Sequence, residues 1–433
     1  MKPALHFARC ASLLVAAWLA GCASIDPVPS SNTAEAPSPD TQLKLSELKT
    51  RAAEGDYFAQ THLAWHYDTG RGLPTDPQEA ARLYKLAAQK GQSMAQNNLG
   101  QLYRDGRGLA QDYAEAAKWF RKAADQGNPH AQANLGWLCE RGLGVKRDFS
   151  EAAKWYHRAA EPVSSSITGY TTPGHALAQN NLGLLYREGR GVAQDSNEAV
   201  RWFRLATAQG DGHAWHNLGL MYERGESVQR DEMEAVKCYK KAIESGNVYA
   251  MTSLGWLYEN GRDLRRDYIE AAHWYRRAAE RGYAMAQNNL ATMYREGRGV
   301  RQDFVTAADW YRKAGDQGNA YSQATLGWLY EKGHGVKQDF GMAFEWYRRA
   351  AVQGLSVGQI GLGLFYYHGA SVQKDLCAAY KWLHLAANQG HARAGEYRDA
   401  LAKEMTLDQI AEARRLAAEF VPEIEGMKTA SLN

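Results

Sequence analysis

The feature that most constrains this chain is a period. The alanine that opens Ala95-Gln96-Asn97-Asn98-Leu99-Gly100 returns at Ala59, Ala131, Ala178, Ala214, Ala250 and Ala286, and Ser322, Gly358 and Ala394 continue the series. Every interval is 36 residues except the 47 between Ala131 and Ala178, where eleven extra residues rich in Ser, Thr and Gly predict a surface loop over 162–173. A repeat this short cannot bury an apolar face alone, so neighbours must stack. The expectation is an all-α solenoid of nine helix-turn-helix units over 59–393, with 45% hydrophobic residues supplying its core.

Each unit reads as two helices. In the first, Leu99, Gly100 and Tyr103 recur as Leu135/Gly136/Cys139, Leu182/Gly183/Tyr186 and Leu326/Gly327/Tyr330, a spacing that gathers them on one helical face. Gly100 stands mid-helix, where glycine costs about 1 kcal/mol against alanine; close approach of the partner helix is the expected reason, with Ala64 and Ala291 marking the size limit. Gly106 and its eight equivalents are expected to end the first helix as left-handed caps. Asp112, with an aspartate at the same position of all nine units, is expected to start the second, and Glu115 three residues on completes the pattern of a capping box. The second helix continues Ala116-Ala117-x-Trp119-Phe120-x-x-Ala123-Ala124, small residues for a tight crossing beside two large rings.

The full pattern, Ala-x-x-x-Leu-Gly-x-x-Tyr-x-x-Gly-x-Gly-Val-x-x-Asp-x-x-x-Ala-x-x-Trp-x-x-x-Ala-Ala-x-x-Gly, resembles the Sel1-like repeat, a relative of the tetratricopeptide repeat, over nine consecutive units. The resemblance implies a right-handed α-solenoid that presents a concave groove to protein partners. Departures are local: Leu83 and Cys238 replace the tryptophan, and Ser227, Asp263 and Ser371 replace the second loop glycine, with an expected effect on local curvature. Residues 43–58 read as a partial leading repeat, and 394–422 as C-terminal capping helices opened at Thr406-Leu407-Asp408-Gln409 and stopped by Pro422. Residues 423–433 read as a disordered tail.

Upstream, Lys2 and Arg9 precede an apolar stretch, Ala11–Ala20, too short to span a bilayer, so 1–21 reads as a signal peptide. Its end, Leu19-Ala20-Gly21-Cys22, resembles the bacterial lipobox, which implies acylation of Cys22; Ala23 in place of aspartate implies the outer membrane. Residues 22–42, with Pro27, Pro29, Pro37 and Pro39, read as a flexible tether. Removing Lys2 and Arg9 from a net charge of +3 leaves +1, which gives no reason to expect nucleic acid. Beyond Cys10 and Cys22 only Cys139, Cys238 and Cys377 remain, without disulfide or metal-ligand spacing, and they are expected to be small buried apolar side chains.

An alternation singles out one face. Position 101 and its equivalents read Trp65, Gln101, Trp137, Leu184, Leu220, Trp256, Thr292, Trp328 and Leu364; three residues on stand Asp68, Arg104, Glu140, Arg187, Glu223, Glu259, Arg295, Glu331 and Tyr367. Every tryptophan is followed by an acid, and the next residue mostly reverses the sign, which predicts a ladder of ion pairs between units; a solvated face without fixed pairs is the alternative. By analogy with the tetratricopeptide repeat, Trp65, Trp137, Trp256 and Trp328 form an aromatic row in the groove, beside small Ala133, Thr252 and Ala324. Asn97, Gln101, Arg104, Glu140, Asn180, Arg187, His216, Glu223, Glu259, Asn288, Arg295 and Glu331 supply its polar contacts. Tryptophan flanked by Arg and Glu is the composition of binding hot spots; the alternative is that the rings fill space between first helices. Second helices end in basic pairs such as Arg121/Lys122 and Arg276/Arg277, expected to complement the helix dipole rather than to touch lipid or glycan.

Chemistry-bearing motifs are few. There is no phosphate loop, HExxH or nucleophile elbow. His62 and His66 lack a third ligand, and Ser46-x-x-Lys49 lacks the partners that position an acyl group. The expectation is therefore a monomeric, non-catalytic scaffold without cofactor or metal, anchored to the bacterial outer membrane on its periplasmic face and organising envelope or secretion proteins, as the alginate-secretion lipoproteins it resembles do. A surface-exposed or secreted binder of host or foreign proteins is the competing class, and a penicillin-binding hydrolase-like Sel1 protein a poor third.

Overall fold

The computed structural model describes residues 45–164 and 171–423. The expected signal peptide over 1–21, Cys22 and the expected tether, Leu43, Lys44, the middle of the inserted segment and 424–433 lie outside them. The described residues fall into two compact units: one runs to Met221 and takes in Gly225–Gln229, and the other is Tyr222–Arg224 with the chain from Arg230 on.

Both units are stacked α-hairpins. A leading helix α1 (Leu45–Ala53) packs on α2 (Tyr57–Thr69), which pairs with α3 (Pro77–Gln89); then follow α4 (Ser93–Asp105) with α5 (Tyr113–Asp125), α6 (Pro129–Arg141) with α7 (Phe149–Ala160), and α8 (Ala176–Glu188) with α9 (Ser196–Ala208). The helix α10 (Gly212–Arg224) runs across the division. The second unit holds α11 (Glu232–Glu244), α12 (Val248–Asn260) with α13 (Tyr268–Ala279), α14 (Ala284–Glu296) with α15 (Phe304–Asp316), α16 (Ala320–Lys332) with α17 (Phe340–Val352), and α18 (Ser356–His368) with α19 (Leu376–Asn388). It ends in α20 (Ala392–Ala402) and α21 (Leu407–Ala418). The first helix of a repeat begins two residues before the marker alanine, so Tyr57 and Phe58 belong to α2 rather than to the leading helix.

The inserted segment departs from a plain loop: Val163 pairs with Thr172 and Ser164 with Thr171 in a two-residue antiparallel ladder. Among the described residues no helix is long and apolar enough to cross a membrane.

The glycines explain the tightness of the hairpins. A Cβ on Gly100 would stand 2.7 Å from the Phe120 ring, and one on Gly255 2.8 Å from Tyr275, so the first helix rides directly on the large ring of the second. Asp76, Asp112, Asp148, Asp195, Asp231, Asp267, Asp303, Asp339 and Asp375 all cap second helices through backbone N–H groups. The reciprocal half of the expected box is absent from the repeats, because the Asp112 N–H already donates to Tyr103 O at 2.9 Å, as does Asp267 to Tyr258 O at 2.8 Å. The third-position glutamates pair forward instead, Glu115 with Lys118 and Glu198 with Arg201. A full capping box occurs at Thr406 and Gln409, where α21 begins.

One first-helix glycine breaks the rule. Gly261 has φ −53° and ψ 147°, not the left-handed cap of Gly106 or Gly297. Here Asp263 replaces the second loop glycine, and the buried Glu232 carboxylate accepts the N–H groups of Arg262, Asp263 and Leu264 together with the Arg230 guanidinium. These donors hold the carboxyl below the usual carboxylate range despite its desolvation by burial. Ser227 and Ser371, the other two replacements, keep the left-handed turn with φ 55° and 63°.

Candidate protein-binding face

Side chains of the first helices divide into those that lock repeats together and those that stay within reach of solvent. Asn97 and Asn180 are fully buried and tie successive first helices: Asn134 donates to Asn97 at 3.1 Å and Asn217 to Asn180 at 2.8 Å. Arg104 is buried and donates to Asn134 at 3.1 Å and to Asp105 at 2.7 Å. Gln101 and Arg187 are likewise buried. These five positions, expected to line a groove, lie inside the stack, because the first helices approach closely enough for asparagine to bridge asparagine. His216 and Asn288 are partly exposed, and Asn288 accepts from Ser322 at 2.9 Å.

The acids carry a second, unexpected bond. Tyrosine hydroxyls of the same repeat's second helix donate to them: Tyr156 to Glu140 at 2.9 Å, Tyr275 to Glu259 at 2.8 Å, Tyr347 to Glu331 at 3.0 Å, and Tyr239 to Glu223. Burial, reinforced by the adjacent carboxylate, pushes all four phenols well above their ordinary pKa. Where the first helix carries Arg104 or Arg187, the ring sixteen residues on is Phe120 or Phe203. Arg295 is followed by Tyr311, whose hydroxyl meets Thr292 at 2.8 Å instead.

Ion pairs between repeats do form, through loop arginines rather than by direct pairing of successive first-helix charges. Arg298 bridges Glu296 at 2.8 Å and the preceding repeat's Glu259 at 2.7 Å; Arg190 bridges Glu188 at 2.6 Å and Glu140 at 3.4 Å; Arg107 bridges Asp105 at 3.6 Å and buried Asp68. Arg295 and Arg187 pair with their own neighbours Glu296 and Glu188. Burial raises the Asp68 carboxyl despite the facing guanidinium, and burial likewise raises Glu223. Glu331 differs: the loop residue that follows in the next repeat is Ala370, so Glu331 has Tyr347 and the adjacent Lys332 as its partners.

The tryptophans occupy the margin of this network. Trp65 and Trp137 in the first unit, and Trp256 and Trp328 in the second, are each partly exposed and packed against core residues. Arg71 lies 5.1 Å above Trp65, and His334 packs 5.1 Å from Trp328. Ala133, Thr252 and Ala324 are buried. Each indole is thus packed on one side against the helices and open to solvent on another.

Two further systems escaped sequence reading. A glutamine ladder joins the repeats: Gln96 donates to Ala88 O at 3.1 Å and accepts from Gln126 at 2.7 Å, and Gln323 repeats this with Gly315 O at 2.9 Å and Gln353 at 2.7 Å. The buried amide adds a second donor to a last-turn carbonyl of the preceding second helix, which already accepts a backbone N–H from Gly91 or Gly318. The basic pairs cover second-helix tryptophans: Lys122 lies 4.2 Å from the centre of Trp119, Arg277 4.8 Å from Trp274, Lys313 4.1 Å from Trp310 and Arg349 4.4 Å from Trp346. Cation–π contact, beyond the expected dipole effect, accounts for that recurring pair.

Beside the insertion, His175 caps α8, its Nδ1 accepting from the Ala178 N–H at 3.4 Å while its Nε2 faces His130 Nδ1 at 3.1 Å. Burial and then the His130 charge depress its pKa to about 3. Cys139 and Cys238 are buried as expected, their thiols pushed by burial to about 11 and about 12; Cys377 is partly exposed. Among the described residues no three His, Cys, Asp or Glu side chains are grouped to hold a metal.

A family model for the Sel1 repeat matches nine times, over residues 58–92, 93–128, 129–161, 176–211, 213–247, 248–283, 284–319, 320–355 and 356–391. Among solved structures, a protective antigen present in uropathogenic Escherichia coli strains, displaying an SLR fold, is 32% identical, with 88% of this chain and 79% of that one covered at a TM-score of 0.66. A Sel1 repeat protein from Oxalobacter formigenes is 31% identical, with 73% of this chain and 89% of that one covered at a TM-score of 0.52. No curated protein matches the chain significantly.

Proposed function

Because this chain belongs to the Sel1 repeat family, whose stacked hairpins serve protein–protein interaction, we propose that it is a non-catalytic scaffold that holds envelope or secretion proteins against its first-helix face. In this reading acylated Cys22 anchors a monomer to the outer membrane, and the tether over 22–42 lets the repeats work on the periplasmic side. The observation that carries it is the tryptophan pair in each unit: Trp65 and Trp137, then Trp256 and Trp328, partly open among first-helix polar groups that mostly bind one another. Large rings already held on one edge lose little freedom when a partner covers the other, which is the property of a hot spot. Glu331, without an arginine from the next repeat, is the acid best placed to receive a partner's cation beside Trp328.

The test is Trp137→Ala combined with Trp256→Ala. Partner capture from membrane extracts is expected to disappear while helicity by circular dichroism is kept. Retained capture, with a loss of more than about 3 kcal/mol per ring as for wholly buried tryptophan, would mean that the rings are structural. A second reading, a surface-exposed binder of host or foreign proteins, draws on the uropathogenic relative described as a protective antigen. Protease shaving of intact cells separates the two: a protected chain supports the periplasmic scaffold, and a cleaved one the surface binder.

A further inference from the structure

We propose that the junction of the last two repeats is an arginine socket, in which Glu331 of α16 and Phe340 of α17 take the guanidinium of an arginine carried by a partner polypeptide. The inference rests on the scaffold reading above and names the chemistry of one anchor. Other junctions show what the place is built for. There the residue after the glycine that ends the first helix reaches back to the preceding repeat. Arg107 meets Asp68. Arg190 meets Glu140 Oε1 at 3.4 Å and lies 5.1 Å from the centre of the Phe149 ring; Arg298 meets Glu259 Oε1 at 2.7 Å and lies 5.6 Å from that of Tyr268. The other carboxylate oxygen, Oε2, accepts from the tyrosine of the same repeat, Tyr156 or Tyr275. Even where the preceding first helix carries Arg295 instead of an acid, the ring is covered: His334 stacks on Phe304 with centroids 5.2 Å apart.

At the last junction the acceptors are kept and the donor is not. Glu331 repeats the arrangement of Glu140 and Glu259, its Oε2 accepting from Tyr347 at 3.0 Å, and Phe340 holds the place of Phe149 and Tyr268. The residue that would cover them is Ala370, whose methyl can neither pair with a carboxylate nor shield a ring. The exposures follow. The Glu331 side chain is 25% exposed against 10% for Glu140 and 12% for Glu259, and Phe340 is exposed where Phe149 and Tyr268 are partly buried. Cations at hand do not replace the arginine. Exposed Lys332 pairs with Glu331 Oε1, but Glu140 also precedes a cation, Arg141, and takes Arg190 nonetheless. Lys374 lies over Tyr367 at 5.1 Å. His368 stands where Glu188 and Glu296 give the other junctions a second acid, so the socket offers one carboxylate and one ring. A guanidinium meets both at once, its plane on the ring and its N–H fork on the oxygen, whereas an ammonium acts only as a point charge. Outside the described residues the chain has a single arginine, Arg9, in the segment read as a signal peptide, so the occupant is another molecule. Trp328, one helical turn before Glu331, sets the socket beside an anchor of the proposed face.

The test titrates the full chain with acetyl-Gly-Arg-Gly-amide, and with the same peptide carrying lysine or citrulline in place of arginine, by saturation-transfer NMR. The arginine peptide is expected to bind about fivefold more tightly than the lysine peptide, and the uncharged citrulline peptide not to saturate. Glu331→Gln, which keeps an acceptor for Tyr347, and Ala370→Arg, which supplies the side chain within the chain itself, are each expected to weaken the arginine peptide about fivefold with circular dichroism unchanged. Ala370→Arg should also raise the thermal midpoint, and Glu331→Gln in the same chain should cancel that rise. Equal binding of the three peptides, or indifference to both variants, would overturn the proposal. So would a concentration-dependent dimer in sedimentation velocity that Ala370→Arg abolishes, since a second copy would then be the occupant. Partner capture separates this failure from that of the scaffold reading. Capture lost in the double tryptophan variant but unchanged in Ala370→Arg refutes the socket alone; peptide binding that persists where no partner is captured refutes the scaffold alone.

Discussion

Acidification should loosen the first unit at His175, and the size of the effect follows from the depressed pKa. The ring caps α8 through Nδ1, a role open only to the neutral imidazole, and its Nε2 faces His130 at 3.1 Å. With the folded-state pKa near 3 against 6.5 in the unfolded chain, the unfolded state binds more protons between those values, so stability is full above about pH 6.5 and falls as pH drops toward 3. Between pH 7 and pH 5 the linkage relation gives a loss of about 2 kcal/mol, reduced toward about 1 kcal/mol by the edge of the residue that water still reaches. The perturbation is His175→Asn. Asparagine caps the equivalent helices at Asn128, Asn247 and Asn319, so it keeps the hydrogen bond and removes the titration. Urea unfolding followed by circular dichroism at pH 7, 6 and 5 should show the parent losing about 1–2 kcal/mol more than the variant across that range. Identical pH profiles for the two proteins would refute the argument, since His62 and His384, whose pKa values are also lowered, remain in both.

Two further outcomes test the packing. Tyr275→Phe should cost about 1–2 kcal/mol by removing a hydrogen bond to a charged acceptor, and Glu259→Gln in the same chain should add less than its cost alone; additive losses in a double-mutant cycle would break the proposed link between the two. Gly299→Ala should destabilise by more than about 2 kcal/mol, because φ is +67° and the new methyl would stand 1.9 Å from Tyr268 O; a thermal midpoint unchanged from the parent would show that the loop relaxes freely.

The repeat frame was legible because it depends on local chemistry. Aspartate caps, left-handed glycines and the small residue beneath a large ring act within one hairpin, so their spacing appears directly in the chain. The candidate face was less legible because its bonds join residues of different helices. Asn97 and Arg104 look like exposed polar groups until Asn134 is seen to face both. The link between Glu140 and Tyr156 had a written signal, tyrosine sixteen residues after an acid and phenylalanine after Arg104 or Arg187, but it shows only when two helices of a repeat are compared as a pair. The capping box failed for a similar reason: the N–H it needed was already bound by a carbonyl nine residues earlier. His130 and His175, 45 residues apart across the insertion, carry no local signature.

The loop arginines also set the grain in which such a chain can change length. Asp68 is met by Arg107, Glu140 by Arg190 and Glu259 by Arg298, each donor in the repeat after its acceptor. Excising the single repeat after Asp68 would bring Leu143 to the place of Arg107 and strand a buried carboxylate, whereas excising two would bring Arg190 there. At this junction, then, loss of a couple of repeats keeps an ion pair that loss of a single hairpin would break.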